Sequence, residues 1–292
     1  MNTKQSRIKR NAIPEKYFDG KDLRMAEAIY KSDTKTIERL IKNEGYAVNT
    51  RGYRTRTHNQ DPLRYTFLGY AVKIGEVKSA EKLLELGADP DLINDEGALW
   101  TNISLACSHR NKEMIALLVK YKENLNPPLS GSPIDKLLSG EVDKKLIEFL
   151  LANGADVNHP NYIMGNTAVQ TAFDIYEYDI VNFLLDRGAD PLQLDYHGNS
   201  LASSVQEQLD EGRVNLGITG GTQILKARLE REYGIEFPVN NNFAKGRAQS
   251  FVRYENLAQA DKDFLGEFEV ERINEWREGL KNYLKNHPEL KE

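Results

Sequence analysis

The sequence predicts an all-α solenoid of about six helix-turn-helix repeats closed by a C-terminal capping helix, and three observations predict it. First, a short motif recurs: Leu83 and Leu84 before Gly87, Ala88 and Asp89, then Leu150 and Leu151 before Gly154, Ala155 and Asp156, then Leu184 and Leu185 before Gly188, Ala189 and Asp190. Second, the spacing is regular, with 67 residues from Asp89 to Asp156 and 34 from Asp156 to Asp190. A degraded copy is therefore expected midway between the first two, and the run from Val119 to Asn126 lies there, with Asn124 at the Asp position. Third, a small residue sits at a fixed place upstream, so that Ala71 to Leu83 and Ala172 to Leu184 are both 12 residues apart.

Each part of the motif has a physical reading. The leucine pair ends a helix on its buried face, and the glycine after it can take the left-handed conformation that terminates a helix. The Asp then starts a turn. Upstream, the segments Thr66–Ala71, Thr101–Ala106 and Thr167–Ala172 each read as a first short helix whose small residue lets its antiparallel partner pack closely. This pattern resembles the ankyrin repeat, in which a Thr-Pro-Leu-His-x-Ala helix start, a second helix ending in a leucine pair and a Gly-Ala-Asp turn recur at about 33 residues. The resemblance covers residues 20–237. Its Pro is kept only at Pro133, and Gly69, Ser104, Asp135 and Gln170 stand at the His position.

In chain order, residues 1–19 form an N-terminal extension, and Leu23 to Asn49 holds the first repeat. The interval to the next Asp is long, and Arg51 to Gln60 is predicted to be an extended polar loop. A last irregular repeat begins at the turn signature Asp195–Ser200. The glycines of Gly217–Gly221 are predicted to lie in a loop ahead of a helix from Gln223 to Tyr233. Residues 238–260 read as a linker. Between 261 and 288, Phe264, Leu265, Phe268, Ile273, Trp276, Leu280 and Leu284 fall at three- and four-residue steps broken once near Val270, which predicts a helix packing on the last repeat.

Composition narrows the function. Hydrophobic residues make up 40% and charged residues 28%, and 39 basic against 44 acidic side chains leave a net charge of -5, which argues against a nucleic-acid partner. The single cysteine, Cys107, excludes an internal disulfide. Its place beside Ala106 makes it a packing residue. The five histidines are scattered without zinc-site spacing, so no metal is expected, and no cofactor either. No run approaches the roughly 20 apolar residues of a membrane span. The basic start lacks the apolar core of a leader, so the expected address is cytoplasmic, or periplasmic if a leader has been removed. No catalytic residue is predicted. Repeats of this kind lock their apolar groups between neighbours and offer a groove to a protein partner, and a monomer is expected before binding.

Two surfaces are candidates for that partner. Along the first helices, just after the small residues, lie Tyr30, Lys73, Ile74, His109, Ile175 and Tyr176. At the turn tips lie Arg51, Tyr53, Arg54 and Arg56, then Trp100, Tyr162, Tyr196 and His197. Aromatic and arginine side chains dominate interface energetics, and arginine forks suit acidic surfaces.

A finer resemblance follows from the opening Tyr17, Phe18, Leu23, Ala26, Ala28 and Ile29, together with the run Gly87–Asp91. It is similar to a bacterial group of ankyrin-repeat immunity proteins encoded beside type VI secretion phospholipase effectors. That resemblance implies a stoichiometric inhibitor of a toxic lipase. The alternatives are a cytoplasmic scaffold or adaptor for an unrelated partner, and the regulatory region of an enzyme whose activity lies in residues 240–292.

Overall fold

Several first helices of the pairs start on hydroxyl side chains, and several second helices start on Asp or Asn. Thr66 accepts the Gly69 N–H at 2.9 Å and Thr101 accepts that of Ser104 at 3.2 Å, each satisfying an amide that the first turn leaves unpaired. Thr167 and Gln170 form a reciprocal capping box, and Ser200 accepts the Ser203 N–H at 3.2 Å. The computed structural model describes residues 3–52, 54–56, 60–63, 65–95, 99–127, 130–138, 140–161, 164–210 and 216–242, and beyond these 245, 246, 248, 249, 252, 255, 256, 278, 281, 282, 285 and 286.

After the leading helix α1 (Thr3–Asn11), helices follow in pairs: α2 (Gly20–Tyr30) with α3 (Thr34–Glu44), α4 (Phe67–Ile74) with α5 (Val77–Glu85), and α6 (Asn102–Ser108) with α7 (Lys112–Lys120). The fourth pair is reduced to a single tight turn, Asp135–Leu137, before α8 (Lys144–Ala152). Then come α9 (Ala168–Asp174) with α10 (Tyr178–Leu185) and α11 (Leu201–Asp210) with α12 (Leu216–Tyr233). The chain divides into two units, Met1–Ala155 and Asp156–Glu292.

The recurring turns repeat at atomic detail. After the second helices, Ala88 N–H donates to Leu83 O, Ala155 to Leu150 O and Ala189 to Leu184 O, at 2.9, 3.0 and 3.1 Å. Gly87, Gly154 and Gly188 supply the left-handed backbone that this closure needs, with φ between 87° and 99°. The degraded copy behaves the same way, with Lys122 at φ 62° and Glu123 N–H donating to Leu118 O at 3.2 Å. Asp89, Asn124, Asp156 and Asp190 each accept the N–H two residues on, at 2.8 to 2.9 Å, so Asn124 does stand at the Asp position. Neighbouring turns are tied in sequence: Asn49 accepts the Asp89 N–H, Asp91 that of Asn124 and Asn158 that of Asp190, at 2.9, 2.7 and 2.7 Å.

Two expectations change, and the N-terminal extension takes a definite structure. The polar segment after Arg51 is not wholly an irregular loop: β1 (Arg54–Arg56) pairs antiparallel with β2 (Gln60–Leu63), and a second ribbon joins β3 (Asn94–Asp95) to β4 (Leu99–Trp100). The glycines at 217, 220 and 221 lie inside α12. A Cβ on Gly221 would come within 2.8 Å of the Tyr178 ring, and Tyr178 Oη lies 2.7 Å from Thr222 Oγ1, so packing against Tyr178 accompanies glycine in a helix that propensity disfavours. The basic start is a helix packed on α4. The predicted helix over 261–288 falls almost wholly outside the described residues.

Part of the core of unit one is an aromatic cluster that the repeat pattern does not announce. Phe18 stacks on Phe67 at 5.4 Å and meets the edge of Tyr70 at 5.3 Å, while Tyr17 contacts Tyr65 and Tyr70 at 5.4 Å each. Tyr70 Oη donates to Ala12 O at 2.8 Å, which anchors the segment leading out of α1.

Candidate protein-interaction surface

The turn between the two helices of a pair is one backbone device used four times. The residues before the second helix, Asp33, Glu76, Asn111 and Glu177, donate their N–H back to Ala28, Ala71, Ala106 and Ala172, at 2.9 to 3.1 Å. Each follows a residue with left-handed φ: Ser32 at 56°, Gly75 at 75°, Arg110 at 55° and Tyr176 at 61°. The predicted first-helix row therefore has a defined register, in which Tyr30, Lys73, Ser108 and Asp174 are equivalent, as are Lys31, Ile74, His109 and Ile175.

The row is not uniformly open. Ile74 is fully buried, which corrects its assignment as a binding residue. The cause is α1: Gln5 Nε2 donates to Lys73 O at 3.4 Å, and Gly75 runs so close to the Gln5 side chain that a Cβ there would collide with it. Lys9 Nζ pairs with Glu76 at 2.5 Å and sits 4.8 Å from the centroid of the half-buried Tyr30 ring. Ser32 Oγ also donates to Glu76. Lys73 is half-buried with Nζ 5.9 Å from the Tyr65 ring centroid, and His109 is half-buried beside Arg110, whose guanidinium donates to Leu137 O at 3.3 Å. In the fifth pair the same row stands open, with Ile175 45% and Tyr176 48% exposed.

Asp174 begins that open stretch. Desolvation of its carboxyl, reinforced by the charge of Asp195, raises it to about 6. Asp195 is itself saturated, accepting the His197 and Asn199 N–H groups at 2.8 Å each.

At the turn tips, Arg51 is half-buried and its backbone bridges to Thr66. Arg54 and Arg56 lie on β1, their side chains outside the described residues, as are Tyr53 and Tyr162 altogether. Trp100 is half-buried under Lys136, whose Nζ is 4.9 Å from its ring centroid. Tyr196 is a second correction. It is 9% exposed because its ring packs against Gly165, where a Cβ would come within 2.2 Å, and its N–H donates to Met164 O at 2.9 Å. His197 beside it is exposed.

Two buried groups stand apart from this surface. Burial pushes the Cys107 thiol well up, which removes the thiolate a nucleophile requires. Glu123 occupies the place taken by Ala88, Ala155 and Ala189 in the regular turns, and its Oε1 accepts the Ile103 N–H at 2.6 Å at the start of α6. Desolvation holds its carboxyl well above the usual range. Among the described residues no group of three or more His, Cys, Asp or Glu is placed to hold a metal ion, and no helix is long and apolar enough to cross a membrane.

No family model matches the chain. A putative ankyrin repeat protein of Fowlpox virus is 32% identical over 124 residues, a match covering 41% of this chain and 29% of the viral protein, so the chain spans under a third of that relative. Among solved structures, the ankyrin repeat domain of Bcl-3, a member of the IkappaB protein family, is similar with a TM-score of 0.58 and 19% identity, covering 77% of this chain and 94% of that one. The paired helices, the left-handed closures and the turn-to-turn hydrogen bonds agree with those similarities, and the chain has the ankyrin-repeat fold.

Proposed function

We propose that this chain is a protein-binding module without catalytic activity, and that its partner is a secreted bacterial phospholipase effector which it neutralises as an immunity protein. The observation that carries the first part is the open row in the fifth pair. Ile175 and Tyr176 offer apolar and aromatic area on a turn held by the Glu177 to Ala172 hydrogen bond, so little ordering entropy is lost on docking. The elevated thiol of Cys107 favours a packing role over nucleophilic chemistry. The second part rests on the likeness of the opening segment to the type VI immunity proteins. Tyr17 and Phe18, which carry that likeness, are buried, so they bear on the fold of the first unit and not on partner contact.

The test is affinity capture with the tagged full chain from its native host, followed by assay of the captured protein on phospholipid vesicles. A phospholipase inhibited at one-to-one stoichiometry supports the immunity reading. An unrelated partner overturns that part and leaves the binding module standing, whereas hydrolase turnover by the purified chain itself overturns the module.

A further inference from the structure

The first two pairs show what kind of element covers the helix-end row in this molecule. There it is a helix, α1, that brings Lys9 to the carboxylate of Glu76 and over the Tyr30 ring, and lays Gln5 against Gly75. Its sequence is strongly basic, with Lys4, Arg7, Lys9 and Arg10 in nine residues and no acidic side chain. The fifth pair presents the same register without a cover. Glu177 stands where Glu76 stands, the exposed Tyr176 replaces Gly75, and the exposed Ile175 replaces the buried Ile74.

Charge makes the equivalence chemically specific. Residues 156–212 contain ten Asp or Glu and one arginine, Arg187, against a net charge of -5 for the whole chain. Arg187 is engaged locally, its guanidinium 3.5 Å from the Phe183 ring centroid and donating to Phe183 O at 3.1 Å. Among the described residues, Asp174, Glu177 and Asp179 make no ion pair. The row thus combines exposed apolar area with carboxylates lacking cations, the complement of a basic amphipathic helix.

We propose that Ile175, Tyr176, Asp174 and Glu177 form the docking site for a lysine- or arginine-bearing amphipathic helix of the protein partner, seated as α1 is seated on the first two pairs. This rests on the reading of the chain as a protein-binding module and names the chemistry that one face of it selects. The partner helix sets a cation between Glu177 and Asp174 and an apolar side chain against Ile175 and the Tyr176 ring, where the charge-assisted bonds fix register and the apolar contact supplies affinity.

A synthetic peptide spanning residues 3–13 is a suitable probe, because it carries the α1 chemistry without the Tyr17 and Phe18 anchor. Titrated into the intact chain, it is expected to bind weakly, to lose about tenfold in affinity on the double substitution Asp174→Asn with Glu177→Gln, and to weaken as salt rises. A second variant, Ile175→Ser with Tyr176→Ser, touches only exposed side chains and is expected to melt like the parent while binding less. Binding that ignores both variants but is abolished by Glu76→Gln would mean exchange with the chain's own α1 and would overturn the site. Absence of measurable binding would overturn it too, as would a dimer in sedimentation that disappears on deleting residues 1–11, since the occupant would then be a second copy. If any of these occurs while affinity capture still yields a partner, only this site fails; if capture also fails, the module reading falls with it.

Discussion

The turn after α4 and the turn after α9 share one backbone design, yet Ile74 has no exposed surface and Ile175, at the same register, has 45%. Both turns place a left-handed residue before a glutamate whose N–H returns to the small alanine of the first helix. The difference comes from a segment distant in sequence, since α1 lies across one and nothing among the described residues lies across the other. A repeat therefore fixes where a side chain emerges, and the flanking chain decides whether it becomes core or surface. The comparison predicts its largest effect directly. Ile74→Ala should cost about 2–5 kcal/mol by urea unfolding, through lost burial and the cavity left behind. Ile175→Ala should fall within about 0.5 kcal/mol of the parent, as surface changes do. Equal costs at the two positions would break the contrast between covered and open rows.

A second contrast lies between the regular Gly-Ala-Asp turns and the degraded one, where a buried glutamate replaces the alanine. Glu123 has a native value above the ordinary 4.5 of its unfolded form, so the native state holds the proton more tightly. Stability must then fall as pH rises from about 4.5 through the elevated native value, and the fall ends above it. Glu123→Gln removes this titration while keeping an acceptor for the Ile103 N–H. At alkaline pH the variant should be the more stable by about 1–3 kcal/mol, the scale of an uncompensated buried polar group, and the two proteins should converge below pH 4. Parallel stability curves across that range would show that the burial is relieved in solution.

How far the sequence carried these conclusions depends on whether the signal was local. The closures at Gly87, Gly154 and Gly188 were legible because glycine before Ala-Asp has one geometric use, and the 34-residue spacing exposed Asn124 despite its changed side chain. The helix-end row was legible in register as well. Its exposure was not, because Ile74 and Ile175 look alike until α1 is placed, and α1 has a polar composition that a search for apolar periodicity passes over. Its polar contacts run from Gln5 to the end of α4 and from Lys9 to Glu76, while the aromatic anchoring comes later, at Tyr17 and Phe18. That doublet, with Tyr65, Phe67 and Tyr70, was the available clue to a shared aromatic core. Tyr196 departs from its expected exposure for a related reason, since a tyrosine at a turn tip reads as exposed unless the space above Gly165 is known. The glycines within α12 read as a loop because propensity weighs the helix alone and not the Tyr178 ring against it.

The left-handed residues sharpen the comparison further. Gly75 holds its φ without strain, whereas Tyr176 and Arg110 hold theirs against the clash of Cβ with the backbone. Tyr176→Gly should therefore stabilise the fold by about 1 kcal/mol while weakening partner binding, since an exposed aromatic ring is removed. Arg110→Gly relieves the same clash but also removes the bond to Leu137 O, so its gain should be smaller. A Tyr176→Gly variant that binds its partner as well as the parent would mean the ring is incidental.

The smallest expected effect separates the electrostatics of the open row from its shape. Partial desolvation, reinforced by the charge of Asp195, pushes the Asp174 carboxyl up to about 6, against 3.8 for an ordinary aspartate. The native state takes up the proton first as pH falls, so stability rises from above pH 6 down to about 3.8, the opposite of a salt-bridged carboxylate. Asp174→Asn should raise the melting temperature slightly at pH 8 and lose that advantage by pH 4. Because Asp174 keeps much of its surface in solvent, the gain should stay below about 1 kcal/mol. A cation delivered by a partner would lower the Asp174 value towards the ordinary range, so binding should weaken as pH drops through 6, and Asp174→Asn should remove that part of the pH dependence. The charged group beside Asp174 is Asp195, held by its backbone donors, and the exposed His197 follows at the turn tip. A pH dependence that survives Asp174→Asn in full would remove the Asp174 carboxyl as its source.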